Sequence, residues 1–348
     1  MKKLALIGCG GIGSYHLEHF LDYQDVELAG FCDIIPDRAE AFAKKAGRGR
    51  AFACYKEMYD AVKPDMVFLG IPPDCHGEIE FETIERGIHM FVEKPLALDL
   101  ALAAEIRKRA EAKGIITASG FQCRYSNIVP ATQAFVRDNQ IVYVGCERMG
   151  GIPGTPWWGI KARSGGQIVE QTIHQYDMIR YICGEIVEVF TFGARGFIKD
   201  APNYDTEDVS TTALRFASGA LGCISTGCYA LSGAAYDSKI TFSARDARLD
   251  HYIIDKVRVY GEEKQKEEKG GLVVKGDGTM RSGTGLIEEV KDDQSAGIVC
   301  DRTFVDAVLT GDRSKIRSPY ADALKTLALT LACNQSMAKD KPVTVPVV

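Results

Sequence analysis

The chain has 348 residues, 46% of them hydrophobic and 26% charged, with a formal net charge of −5. That length allows two domains with cores of their own, and the composition is that of a globular protein, not a disordered one. Weak acidity leaves no basic face for tracking phosphates, and no segment is long and apolar enough to be expected to span a bilayer, so neither nucleic acid nor a membrane is an expected partner.

At the start, MKKLALIGCGG, two lysines precede an apolar run that glycines interrupt too early for a signal peptide. The eleven cysteines include no C-x-x-C and cannot all pair. They read as small buried hydrophobes in a reducing compartment, so a cytoplasmic protein is expected, without a metal site.

A strand over 3–7 runs into GCGGIG at 8–13 and then a helical pattern to residue 23; a second strand over 26–32 ends at Asp33. Strand, glycine loop, helix and a later acid are what a dinucleotide requires. Gly8 turns the chain, Gly10 admits a pyrophosphate against the backbone, and Gly13 lets helix pack on strand. Gly11 and Ile12 open the helix whose N-terminus receives the phosphate charge. Asp33 suits ribose hydroxyls and repels a 2′-phosphate, and Ile34 and Ile35 bring no cation to offset that, so NAD is expected over NADP. The alternative is that Asp33 begins the loop and caps the helix after Pro36.

Helices from about 55, after 76 and over 99–113 alternate with strands over 66–70, 88–92 and 115–119. This predicts a doubly wound parallel sheet with its ligands beyond the strand C-termini. The loops at 71–73 and 93–95 follow such ends, so Pro72, Glu93 and Lys94, with His76 nearby, are expected to border the cofactor. Lys94 can carry charge to a reacting oxygen, or it can pair with Glu93 or stand exposed. His76 and His89 also suit ordering a loop or filling a helix–strand junction.

Strand-like segments at 141–148, 186–192, 211–216 and 220–228 mark a second sheet. Residues 261–293, rich in Lys, Glu and Gly, read as a mobile excursion. Gly165-Gly166 and Cys183-Gly184 bracket a helical run in which Glu170, His174, Asp177 and Tyr181 fall within about 60° of one another. A histidine, two acids and a tyrosine without a lysine suit the wall of a site. The alternative is a core histidine satisfied by Glu170 or Asp177.

Taken together, the glycine loop with Asp33, HMFVEKPLAL at 89–98, GFQCRY at 120–125, SGGQIVEQTIHQYD at 164–177 and TLALTLACNQSMAKDKPVTVP at 326–346 resemble the Gfo/Idh/MocA oxidoreductases. This is the glucose-fructose oxidoreductase and inositol dehydrogenase group. The resemblance spans nearly the whole chain. It implies an NAD-binding Rossmann domain, 1–122, and a C-terminal α+β domain, 123–348, whose large, mostly antiparallel sheet serves substrate binding and oligomerisation in a homodimer or homotetramer. It implies that His174 acts on the substrate hydroxyl, that Glu170 orients or assists it, and that Asp177 matches the family's acid three residues later. Glutamate at 170 departs from the usual aspartate, and Thr172 from a glycine.

Arg124, Tyr125, Trp157 and Trp158 lie in segments resembling the substrate-facing ones, and paired tryptophans suit a pyranose face; the alternative is packing between domains or subunits. The expected function is NAD-dependent oxidation of a secondary alcohol of a sugar, glycoside or cyclic polyol, with Lys94 stabilising the developing alkoxide. Two alternatives are a glycoside-cleaving enzyme that recycles NAD in each turnover and a non-catalytic NAD or sugar sensor.

Overall fold

The computed structural model describes residues 1–262 and 284–348. Six strands, β1 (Lys2–Ile7), β2 (Val26–Cys32), β3 (Arg50–Phe52), β4 (Met66–Leu69), β5 (His89–Val92) and β6 (Thr117–Ser119), form a parallel sheet in the order β3-β2-β1-β4-β5-β6. The nearly unbroken apolar runs of β1, β4 and β5 belong to strands buried on both faces. Helices α1 (Gly11–Phe20), α2 (Pro36–Ala46), α3 (Tyr55–Val62), α4 (Glu78–Glu85) and α5 (Leu100–Ala112) connect them. Strand order reverses between β1 and β4, which opens a crevice beyond Ile7 and Leu69.

The chain then passes through α6 (Val129–Asp138), β7 (Tyr143–Met149), α7 (Lys161–Ser164), α8 (Gln167–Glu170), α9 (Ile173–Cys183), β8 (Ile186–Ala194), β9 (Val209–Phe216), β10 (Leu221–Gly227), β11 (Asp237–Ser243), β12 (Ala247–Tyr252), β13 (Lys256–Glu262), β14 (Thr284–Lys291), α10 (Ala296–Thr310), α11 (Tyr320–Lys339) and β15 (Val343–Thr344). The second sheet has nine strands in the order β14-β13-β12-β11-β7-β10-β9-β8-β15. Among the described residues, β7 with β10 is its one parallel pairing. In β9, Ser210, Thr212, Leu214 and Phe216 are buried while Thr211, Ala213 and Arg215 are exposed, as expected of a sheet covered on one side.

Within the expected excursion at 261–293, residues 261–262 and 284–291 are strand, with Gly261 paired to Gly285 and Glu262 to Thr284; residues 263–283 lie outside the described residues. The two long C-terminal helices cross back to the first sheet. Phe304 and Val305 of α10 pack with Phe20, Phe68 and Phe91, and Leu324 and Leu327 of α11 with Val92, Ile106 and Phe121. The 122/123 division falls just after β6, but the packing is not divided there, because late residues complete the early core.

A buried ionic knot fastens this return. His16 of α1 reaches Asp301 of α10 through Nδ1 (2.8 Å) and Glu93 through Nε2 (3.1 Å), and His19 reaches the same Asp301 oxygen at 2.6 Å. Burial disfavours a charged His16 ring, but Asp301 and then Glu93 outweigh it and lift its pKa to about 10. The folded value lies above the unfolded one, so the proton's contribution to stability is complete below about pH 6.5 and is lost as pH rises toward 10. Stability in urea is therefore expected to decline from about pH 7 to 10, by up to roughly 1.4 kcal/mol per pH unit from this group. His16→Gln should flatten that slope, and an unchanged slope would count against the assignment.

Candidate active site

The glycine loop lies at the head of the crevice. Gly8 has φ +95°, and a Cβ there would stand 2.1 Å from the Gly70 carbonyl oxygen; one on Gly13 would stand 2.0 Å from the Gly8 oxygen. Those two glycines are demanded by the fold. Among the described residues, a Cβ on Gly10 or Gly11 would meet no protein atom within 4 Å, and no side chain caps the start of α1. The cradle is thus wider than the protein needs and lined by free N–H groups, which fits a pyrophosphate.

Asp33, just past β2, accepts from the Cys9 amide (2.8 Å) and the Ile35 amide (2.8 Å). Its carboxylate is fixed against the glycine loop and retains lone pairs for a ribose. The N-cap of α2 is Ile35, so Asp33 turns the loop without capping the helix. Gly10→Ala is expected to fold normally and to weaken NADH binding by roughly 1–3 kcal/mol, the penalty of an overfilled contact. Fluorescence titration with NADH checks this, and undiminished affinity would show that no phosphate approaches Gly10.

Other expected cofactor contacts fall differently. Ile12 is exposed at the mouth and Pro72 is partly exposed. His76 is buried against Glu80, whose second oxygen accepts from the Gly77 amide (2.6 Å), so His76 orders the start of α4. Glu93 is buried too, accepting from His16 and from the Lys94 amide (3.1 Å). Its carboxylate thus braces the loop that carries Lys94.

Lys94 enters the site from the end of β5. Its Nζ donates to Glu170 Oε1 (2.9 Å) and to the Glu170 carbonyl (3.0 Å), and the indole of buried Trp158 donates to Glu170 Oε2 (2.5 Å). Burial works against the ammonium, but Glu170 and Glu93 outweigh it, and the Lys94 pKa is raised. An ammonium has three donors, and two are spent on Glu170, so one is left for a ligand.

The single helix expected over 166–183 is two. The Thr172 amide donates to the Gln167 carbonyl five residues back (2.8 Å) and its hydroxyl to the same oxygen (3.1 Å). The widened turn inserts a residue, which rotates α9 by about 100° relative to Glu170. Glu170 and His174 therefore leave the common stripe. Among the described residues His174 has no carboxylate partner; Nδ1 lies 3.8 Å from Cys123 Sγ, and the Phe121 ring meets it edge-on at 6.0 Å. Burial, then the like charges of Lys94 and Arg148, push the His174 pKa down to about 3. The ring is neutral at any working pH, not poised near neutrality.

Asp177 and Arg124 are paired with each other in the interior. Arg124 donates to both Asp177 oxygens (2.7 and 2.5 Å) and to Asp322 (2.6 Å), and Tyr181 stacks under the guanidinium at 4.5 Å. Thr326 adds a hydrogen bond to Asp177 (2.6 Å). Tyr125 is buried, and its hydroxyl accepts from the Arg317 amide (2.9 Å). Each of the three is tied to the segment over α10 and α11. Trp157 is partly exposed, whereas Trp158 is spent on Glu170.

Two residues absent from the sequence expectations join the site. Cys123 backs His174, its thiol pushed up to about 12 chiefly by burial. Arg148 of β7 donates to the Gly227 carbonyl (3.2 Å) and contacts Cys228 Sγ (3.2 Å), and its charge reaches His174. No spacing in the sequence links residue 148 to 174, so only the fold could find it.

Two family models match the chain, one for each sheet-bearing part. The oxidoreductase family with an NAD-binding Rossmann fold matches residues 2–121, and the GFO/IDH/MocA C-terminal domain matches residues 140–264. The chain is 29% identical over 249 residues to the myo-inositol 2-dehydrogenase of Thermotoga maritima, covering 71% of this chain and 74% of that one. It is 27% identical over 238 residues to the D-glucoside 3-dehydrogenase of Escherichia coli, covering 63% and 68%. Its fold is that of a levoglucosan dehydrogenase solved with NADH, with a TM-score of 0.81 at 20% identity over the full length of both chains.

Proposed function

We propose, because the chain belongs to the Gfo/Idh/MocA family of NAD-binding oxidoreductases, that it oxidises a secondary alcohol of a sugar, glycoside or cyclic polyol. The observation that carries this reading is a lysine with one unspent donor beside a neutral histidine, beyond the strand ends that flank a glycine cradle. A sensor would need no such pair.

NAD, when bound, supplies the carbon that takes up hydride from the alcohol. The free N–H of Lys94 donates to the hydroxyl oxygen and stabilises it as it becomes alkoxide-like. His174 accepts the hydroxyl proton at Nε2, since Nδ1 is turned to Cys123. That requires the tautomer with hydrogen on Nδ1, and a thiol kept protonated by burial offers only weak acceptance, so the ring is lightly held. The low pKa of the resting ring suits this order of events: negative charge growing on the substrate oxygen offsets Lys94 and Arg148 and raises the basicity of His174 as the proton moves. Glu170 positions Lys94 and does not assist the histidine.

The reading extends to a homodimer or homotetramer assembled on the outer face of the nine-stranded sheet, where Tyr143 of β7, Leu221 of the neighbouring β10 and Phe192 of β8, on the far side of β9, stand exposed. A monomer in sedimentation velocity would overturn that. All eleven cysteines are unpaired, which supports a reducing, cytoplasmic setting that cell fractionation can check.

The deciding experiment is NADH formation at 340 nm with NAD⁺ and a panel of free sugars, inositols and glycosides. His174→Ala is expected to keep NADH affinity and to lose about 10²–10⁴-fold in turnover. Normal turnover in the variant, or no NADH with any member of the panel, would defeat the reading.

A further inference from the structure

We infer that an apolar cavity at the carboxyl ends of β7 and β10 is a subsite for the aglycone of a glycoside; this narrows the substrate class proposed above and rests on it. The cavity has a volume of 380 Å³. Three loops wall it: Ile152 follows β7, Phe197 and Ile198 follow β8, and Tyr229 and Leu231 follow β10. Asp200 is the single charged residue among those lining it.

Position ties the cavity to the chemistry. The Gly150 amide donates to the Gly227 carbonyl (3.0 Å) and the Ala230 amide to the Gly150 carbonyl (2.9 Å), which joins the β7 and β10 loops. At the same strand ends Arg148 grips Gly227 and Cys228 and acts on His174. The third loop runs on to Tyr204, whose ring lies 6.2 Å from that of Trp158, the residue that fixes Glu170. The cavity and the Lys94–Glu170–His174 cluster thus share supporting residues.

Chemistry divides the substrate between them. The cluster offers charged donors and acceptors suited to hydroxyl groups. The cavity offers aliphatic and aromatic carbon with one carboxylate, so it suits a part of the substrate that carries no hydroxyls. Leu231 is 89% exposed and Phe197 74% exposed, apolar carbon held in water around a hollow. The Phe197 loop is nonetheless anchored, its amide donating to Asp208 Oδ2 (2.7 Å). An aryl group or short alkyl chain fits a space of this size.

The test compares phenyl and methyl β-D-glucopyranoside with NAD⁺, in the parent and in the double variant Phe197→Ser/Leu231→Ser. Calorimetric titration of both glycosides into the NADH complex accompanies the kinetics. The parent should prefer the phenyl glycoside in kcat/KM by roughly 10–200-fold, mostly through KM, and the variant should lose that preference while handling the methyl glycoside as the parent does. No preference in the parent, a preference retained in the variant, or equal losses on both glycosides would overturn the subsite. So would a variant that loses its oligomeric mass while keeping the preference, since the patch would then be a contact between copies. Methyl glycoside oxidised without a phenyl preference sinks the subsite and leaves the dehydrogenase reading intact. Phenyl glycoside bound but not oxidised, with binding lost in the variant, supports the subsite and sinks the glycoside reaction; no binding of either sinks the subsite.

Discussion

Lys94→Ala is expected to lower kcat by about 10²–10³ while NADH affinity stays within roughly threefold of the parent. The reason lies in what its nitrogen touches. Two donors are committed to Glu170, at 2.9 and 3.0 Å, so the side chain cannot swing away, and the third has no protein partner among the described residues. A donor fixed before the reaction costs no reorganisation when charge appears on the substrate oxygen, which is where electrostatic catalysis draws its strength. Removing Lys94 also strips Glu170 of its counter-ion and leaves its carboxylate, among the described residues, only the Trp158 indole. The double variant Lys94→Ala/Glu170→Gln should therefore be little worse than Lys94→Ala alone, since residues acting as one unit do not add. Steady-state rates and NADH titration read both effects. Full activity without Lys94 would remove it from the chemistry, and fully additive losses would give Glu170 a role of its own.

Asp177→Ala is expected to destabilise the fold by about 3–5 kcal/mol, as breaking one side of a buried ion pair does. Arg124 is completely buried, and the loss would leave its guanidinium with Asp322 and the Arg317 carbonyl, while Thr326 would lose its acceptor. Denaturation in urea measures this. The companion Arg124→Met/Asp177→Leu removes both charges, and most of the lost stability should return. If Asp177→Ala were as stable as the parent but inactive, the acid would belong to the chemistry after all.

The sequence carried the first half of the molecule well because its signals are local. A glycine loop, Asp33 and alternating apolar runs are each read within thirty residues, and the crevice beyond Ile7 and Leu69 follows from them. The second half was harder. Ridge spacing along 166–183 put Glu170, His174 and Asp177 on one face, but Thr172 bonds back to Gln167 and breaks the helix, so the three side chains go to Lys94, Cys123 and Arg124. Periodicity assumes an unbroken helix, and one threonine was enough to void it. His16 was hidden for another reason: its partner Asp301 lies 285 residues away, and no pattern in a single chain announces such a pair. The strand Arg50–Phe52 is too short to carry an alternating signal and is claimed by its neighbour β2 in the sheet.

The return of α10 and α11 to the first sheet also sets the order in which the molecule can be made. Phe68 and Phe91 leave the ribosome early, yet their partners Phe304 and Val305 are synthesised near the end. At 5–20 residues per second, the interval between completing β6 and supplying α10 is roughly 10–40 s. For that time the nascent N-terminal half carries an unfinished aromatic surface, open to chaperones and to aggregation, and it gains its full core only as the last helices emerge.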